Sequence, residues 1–117
     1  MNKTVTRNEL QARLAANPDL VLLEALPEKY YNDWHLPRAK HFPHDQARQL
    51  AAGVVPDQGA EVVVYCASSS CQNSHMAANV LQQIGYTNVS VYAGGKQDWS
   101  EAGLATEIGR AAATVAA

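Results

Sequence analysis

An apolar run, Val62-Val63-Val64-Tyr65, ends on Cys66 and gives way at once to small polar residues, Ala67-Ser68-Ser69-Ser70-Cys71-Gln72-Asn73-Ser74. A helical segment follows, His75-Met76-Ala77-Ala78-Asn79-Val80-Leu81. A short β-branched run of this kind reads as a buried strand. Strand, thiol, compact loop and helix in that order constrain the chain strongly. This is how an α/β protein builds an anion cradle around a nucleophile at the carboxyl end of a strand.

The rest of the chain agrees with that class. Thr6 or Asn8 can cap a first helix over about residues 9–15, with Leu10 and Leu14 on one face. Asn17-Pro18-Asp19 is a turn signal, and the run from Leu20 to Leu26, broken only by Glu24, reads as a strand covered on both faces. Pro27-Glu28 opens a short helix toward Trp34. Leu36 before Pro37 must be extended. Lys40-His41-Phe42 forms a short strand, and Asp45 can cap a helix over 46–52, with a loop over 53–60. The helix after Cys66 is expected over 73–84, stopped by Gly85. Val89-Ser90-Val91-Tyr92 is a further strand, followed by Gly94-Gly95 and a last helix over 96–102. Alternating strands and helices predict a mainly parallel sheet with helices on both faces.

At 117 residues the chain is expected to form one domain over 1–109, with a flexible tail over 110–117. A net charge of −2 points to neither nucleic acid nor an anionic membrane as partner. No apolar run approaches the ~20 residues of a bilayer span. The amino terminus lacks a secretory apolar stretch, so a cytoplasmic location is expected. Two cysteines are too few for a disulfide scaffold, and their closeness suggests chemistry instead.

A cysteine attacks as its thiolate, and an ordinary thiol ionises near pH ~8.5. If 67–73 curls around Cys66, its N–H groups and the helix N-terminus form a nest that favours negative sulfur. Ala67, Ser68, Ser69 and Ser70 are small enough for close backbone approach, and Gln72, Asn73 and Ser74 complete the cradle. The competing reading is a buried strand-end cysteine under a solvated serine loop. The strand–thiol–loop–helix context favours the reactive one.

These segments resemble the rhodanese-like sulfurtransferase superfamily. The resemblance rests on Leu22-Leu23-Glu24, on His35-Leu36-Pro37-Arg38-Ala39 (similar to that family's His-Ile-Pro-Gly-Ala signature), and on Val64-Tyr65-Cys66 with its loop. It continues through Ala77-Ala78, Leu81, Gly85-Tyr86, Val89, Tyr92-Ala93-Gly94-Gly95, Trp99 and Gly103. It implies a central five-stranded, mainly parallel sheet with helices on both faces, and Cys66 as a sulfur-accepting nucleophile that forms a persulfide. It further implies no cofactor, a small sulfur-containing donor, and a thiol or cyanide-like acceptor, a protein thiol included.

The chain departs from the family in its loop, which is longer and carries no basic residue between Cys66 and Ser74. Thiosulfate is a dianion, and arginine is the usual partner of such oxyanions, so the loop argues against thiosulfate as donor. Related phosphatases of this fold also have a long loop, but they need an arginine where this chain has Gln72 and Asn73, which argues against phosphatase activity. Glu24 and Leu26 replace the usual Asp and Arg after the second strand. Arg38 and Lys96 are candidate rim cations in place of the loop arginine. Cys71 is a candidate resolving thiol. An alternative function is a redox-responsive or non-catalytic binding module with a reversible Cys66–Cys71 disulfide. Cys66, Cys71 and His75 do not have the spacing of a structural zinc site, so no metal is expected. His35 is read as tying a loop.

Overall fold

The computed structural model describes residues 2–108. Its elements in chain order are β1 (Lys3–Val5), α1 (Arg7–Ala16), β2 (Val21–Glu24), α2 (Glu28–Asp33), β3 (Lys40–His41), a 3-10 turn (His44–Gln46), α3 (Ala47–Val54), β4 (Val62–Tyr65), α4 (Asn73–Gln83), β5 (Val89–Tyr92) and α5 (Gly95–Glu101). The five strands form one sheet in the order β1-β5-β4-β2-β3, and every pairing is parallel. The tail read at 110–117 lies outside the described residues.

Burial on both faces explains why the central strands are continuous apolar runs. Side chains alternate across a strand. Leu23, Val62, Val64, Val89 and Val91 therefore face α3 and α4, where Ala47, Ala51, Ala77, Ala78 and Leu81 pack. Leu22, Val63, Tyr65 and Tyr92 face the other way, among Leu10, Tyr31, Leu36 and Trp99. All four residues of β4 are fully buried, so the strand that ends on Cys66 is the best-anchored element in the sheet.

Local signals place most boundaries. Thr6 caps α1 in a reciprocal box: its hydroxyl accepts from Glu9 N–H at 3.2 Å, and its own N–H donates to Glu9 at 2.8 Å. The Asp45 cap expected for α3 does not form. Asp45 lies inside the 3-10 turn, and the helix runs on to Val54 through Gly53, which had been placed in the loop. The edge strand β1 has no counterpart in the sequence reading. At three residues it is too short to show alternation, and it exists through its register with β5, Lys3 opposite Ser90.

Candidate functional site

Cys66 follows β4 directly and lies under the 67–72 loop, 1% exposed. Its Sγ donates toward Ser74 Oγ at 3.3 Å and toward the Cys71 carbonyl oxygen at 3.4 Å. Ser74 is buried in the first turn of α4, where the helix presents its free N–H groups. Burial is the largest influence on the thiol and pushes its pKa up. The neighbouring Cys71 side chain pushes the same way, while the Ser74 hydroxyl and backbone N–H pull it down. Taken together these influences favour the protonated thiol over the thiolate.

The cradle differs from the expected ring of amides. The Cys71 N–H is committed to the Ser68 carbonyl at 3.1 Å, which folds the loop into a turn. Ser68 Oγ and Ser70 Oγ bond each other at 3.1 Å on the exposed side. The Ala67 carbonyl accepts from Gln97 N–H at 2.8 Å. Gln72 stands at the N-cap position of α4 without a side-chain cap bond, and Asn73 begins the helix. Ser69 lines a shallow hollow with Gly94, Gln97, Asp98 and Glu101. Of the loop residues read as a cradle, Ser74 is the one whose hydroxyl and N–H reach the sulfur. Cys71 is half-buried, and both cysteines are free thiols.

The loop is held from below by the start of α5. Lys96 N–H donates to the Cys66 carbonyl at 2.9 Å. Gly95 sits at φ +64°, and a Cβ there would lie 2.4 Å from that same carbonyl oxygen. Only glycine satisfies both the conformation and the contact.

The two candidate rim cations are elsewhere. Lys96 is buried: its ammonium donates to the Tyr30 carbonyl at 2.7 Å, lies 3.1 Å from Glu24 Oε2, and sits 4.8 Å over the Trp34 ring. Burial lowers the Lys96 pKa, with Glu24 opposing the shift. Burial likewise raises that of Glu24, with Tyr65 and Lys96 opposing. Lys96 therefore props the site from inside, because its stem is enclosed by α2 and Trp34. Arg38 stands at the other end of the sheet. Its guanidinium donates to the carbonyls of Leu14, Asn17, Pro18 and Leu20, just before β2 begins. Its φ of 73° accounts for the glycine in the family's version of this signature.

Glu24 is fully buried. It accepts from the Tyr65 hydroxyl at 2.8 Å, and that hydroxyl in turn accepts from Leu36 N–H at 3.1 Å. Tyr65 precedes Cys66, so this chain of bonds ties the nucleophile's strand to the His35-Leu36-Pro37 segment. His35 stacks on Tyr31 at 3.9 Å, and its Nδ1 meets the Tyr31 carbonyl at 2.9 Å. It is a loop tie. His75 Nδ1 lies 3.3 Å from Asn2 Nδ2. Sequence reasoning missed the Glu24–Lys96 pair. The one available signal was two charged residues at element ends in an otherwise apolar context.

No helix among the described residues is long and apolar enough to cross a membrane. No curated protein matches the chain. Among solved structures, a rhodanese from E. coli determined with anions is 27% identical, with a TM-score of 0.65, covering 77% of this chain and 99% of its own. The Alr3790 protein from Anabaena is 25% identical with a TM-score of 0.81, covering 96% of this chain and 86% of its own. A thiosulfate sulfurtransferase from Pseudomonas aeruginosa shares the fold at 24% identity and a TM-score of 0.80, this chain spanning 21% of its length. The Rhodanese-like domain matches residues 6–102, which run from the Thr6 cap through the Cys66 loop to the end of α5. With the parallel sheet and the strand-end thiol in place, the chain belongs to the rhodanese-like domain family.

Proposed function

We propose that this protein is a sulfurtransferase or persulfide carrier that holds a sulfane sulfur on Cys66. The observation that carries the reading is the placement of Cys66 Sγ at the end of the central strand, 3.3 Å from Ser74 Oγ at the amino end of α4. In the first half-reaction the Cys66 sulfur loses its proton to water and attacks the donor's sulfane sulfur. The donor's remainder leaves with the bonding pair, and Cys66–S–S⁻ remains. In the second, a thiol or cyanide attacks the outer sulfur, and the Cys66 thiolate is the leaving group. A persulfide is a stronger acid than a thiol, so the Ser74 hydroxyl and N–H act on a formed anion.

Neither candidate rim cation is free to hold the oxyanion end of thiosulfate. Lys96 and Arg38 are committed elsewhere, and of the two acids in the hollow beside the loop Asp98 is paired with Arg7, which leaves Glu101. A low-molecular-weight or protein persulfide suits this surface, with a thiol, a protein thiol included, as acceptor.

Mass spectrometry after incubation with glutathione persulfide tests the reading. An adduct of about 32 Da, removed by cyanide and missing in Cys66→Ser, is expected. Failure of every sulfane donor to produce it overturns the proposal. The contact between Cys66 and Cys71 favours a second reading, a redox-responsive module without turnover. Thiol counting under mild peroxide separates the two. The module loses both thiols reversibly, and Cys71→Ala blocks the loss.

A further inference from the structure

Cys71 is placed to act on whatever Cys66 carries. The turn closed by its N–H on the Ser68 carbonyl brings residue 71 back over the strand end, and its carbonyl oxygen lies 3.4 Å from Cys66 Sγ. Its side chain is near enough to push the Cys66 thiol pKa up. The two residues differ in exposure: Cys66 is buried, Cys71 only partly so. Cys71 is therefore the thiol of the two that solvent and an external dithiol reach more readily. Neither residue is held in a disulfide, and the short loop between them keeps the effective concentration of one thiol at the other high.

We propose that Cys71 discharges the sulfur held on Cys66, releasing hydrosulfide and closing a Cys66–Cys71 disulfide that a dithiol then reopens. This rests on the sulfur-carrier reading above and adds a route by which the carrier unloads without an external acceptor. The Cys71 sulfur attacks Cys66 Sγ. The bond between Cys66 Sγ and the carried sulfur breaks as the new S–S bond forms, and the Cys71 proton leaves with the displaced sulfur as HS⁻. The sulfane sulfur gains two electrons and the two cysteine sulfurs lose them, so no outside oxidant is needed. A dithiol attacks the more exposed Cys71 sulfur, frees the Cys66 thiolate, and closes its own disulfide, returning both thiols. Hydrosulfide is thus the product in the presence of dithiols, and the oxidised dithiol is the second product.

The test compares the wild type with Cys71→Ala and Cys71→Ser after loading with glutathione persulfide and rapid desalting. Intact mass and free hydrosulfide are followed together. In the wild type the adduct is expected to give way to a species about 2 Da lighter than the reduced protein, with one hydrosulfide released per chain. In both variants the adduct is expected to persist about tenfold longer or more, with no disulfide formed. Equal adduct lifetimes in wild type and variants, with no hydrosulfide, overturn the role of Cys71 and leave the carrier reading standing. No adduct on any of the three proteins overturns the carrier reading itself. Two variants of different polarity guard against a fold defect in either one, and the wild-type mass and hydrosulfide yields need no variant at all.

Discussion

Lys96 grips the site at both of its ends: its backbone N–H donates to the Cys66 carbonyl at 2.9 Å, and its ammonium lies 3.1 Å from Glu24 Oε2. Glu24 in turn receives the hydroxyl of Tyr65, the residue before Cys66. The nucleophile is thus enclosed in a loop of interactions closed through one buried ion pair.

Lys96→Met leaves the Glu24 carboxylate buried without its cation. Breaking such a pair from one side costs about 3–5 kcal/mol, to be read from urea unfolding. The double variant Lys96→Met with Glu24→Gln removes both charges and keeps an acceptor for Tyr65. It is expected to recover most of that loss. Equal losses in the single and double variants would show that the pair is not what matters.

Gly95→Ala introduces a Cβ that would meet the Cys66 carbonyl oxygen at 2.4 Å on a backbone of φ +64°. A loss of about 2–3 kcal/mol is expected, together with an altered alkylation rate at Cys66, because the carbonyl must move. Unchanged alkylation would mean that the loop is held by other contacts.

Ser74→Ala removes the hydroxyl beside Sγ and one influence that favours the thiolate. The thiol pKa is expected to rise further and labelling by iodoacetamide at mildly alkaline pH to slow severalfold, for a stability change of about 1 kcal/mol. Faster labelling would place the hydroxyl as a shield.

Burial, then the Cys71 side chain, hold the Cys66 pKa above the ordinary thiol value. Labelling of Cys66 should therefore keep rising with pH after a free thiol has levelled off. The linkage has the corresponding sign. The folded chain retains a proton that the unfolded chain gives up, so this group's contribution to stability falls as pH rises beyond the ordinary cysteine range. A labelling curve that levels off with that of glutathione would contradict the geometry.

Arg38→Ala removes four contacts to carbonyls at the far end of the sheet. It is expected to lower stability by about 1–2 kcal/mol and leave sulfur loading on Cys66 unchanged. Reduced loading at equal foldedness would return Arg38 to the site.

The parallel sheet was legible because β4 and β5 are apolar on both faces, and the helices between them end on recognisable signals such as Gly85. Cys66 was legible for the same reason, since a thiol at the end of a buried strand has one place to be. The cations were not. Lysine and arginine usually extend to water, and nothing local to Lys96 indicates that Glu24 waits for it across the β2–β4–β5 register. The state of the sulfur was also hidden. Whether a loop offers amides or carbonyls depends on its turn, and here the Ser68–Cys71 turn sets a carbonyl at Sγ.

The stretch after α5 reaches back across the molecule. Trp99 Nε1 donates to the Ala105 carbonyl at 2.8 Å, and Glu107 exchanges two backbone bonds of 2.8 Å with His35. The family match stops at residue 102, short of this buckle. A fragment trimmed to that boundary would keep every strand and helix among the described residues and still lose both backbone bonds to His35, which begins the segment that leads through Leu36 and Tyr65 to the sulfur. The family match thus ends before the contacts that fasten the His35 segment.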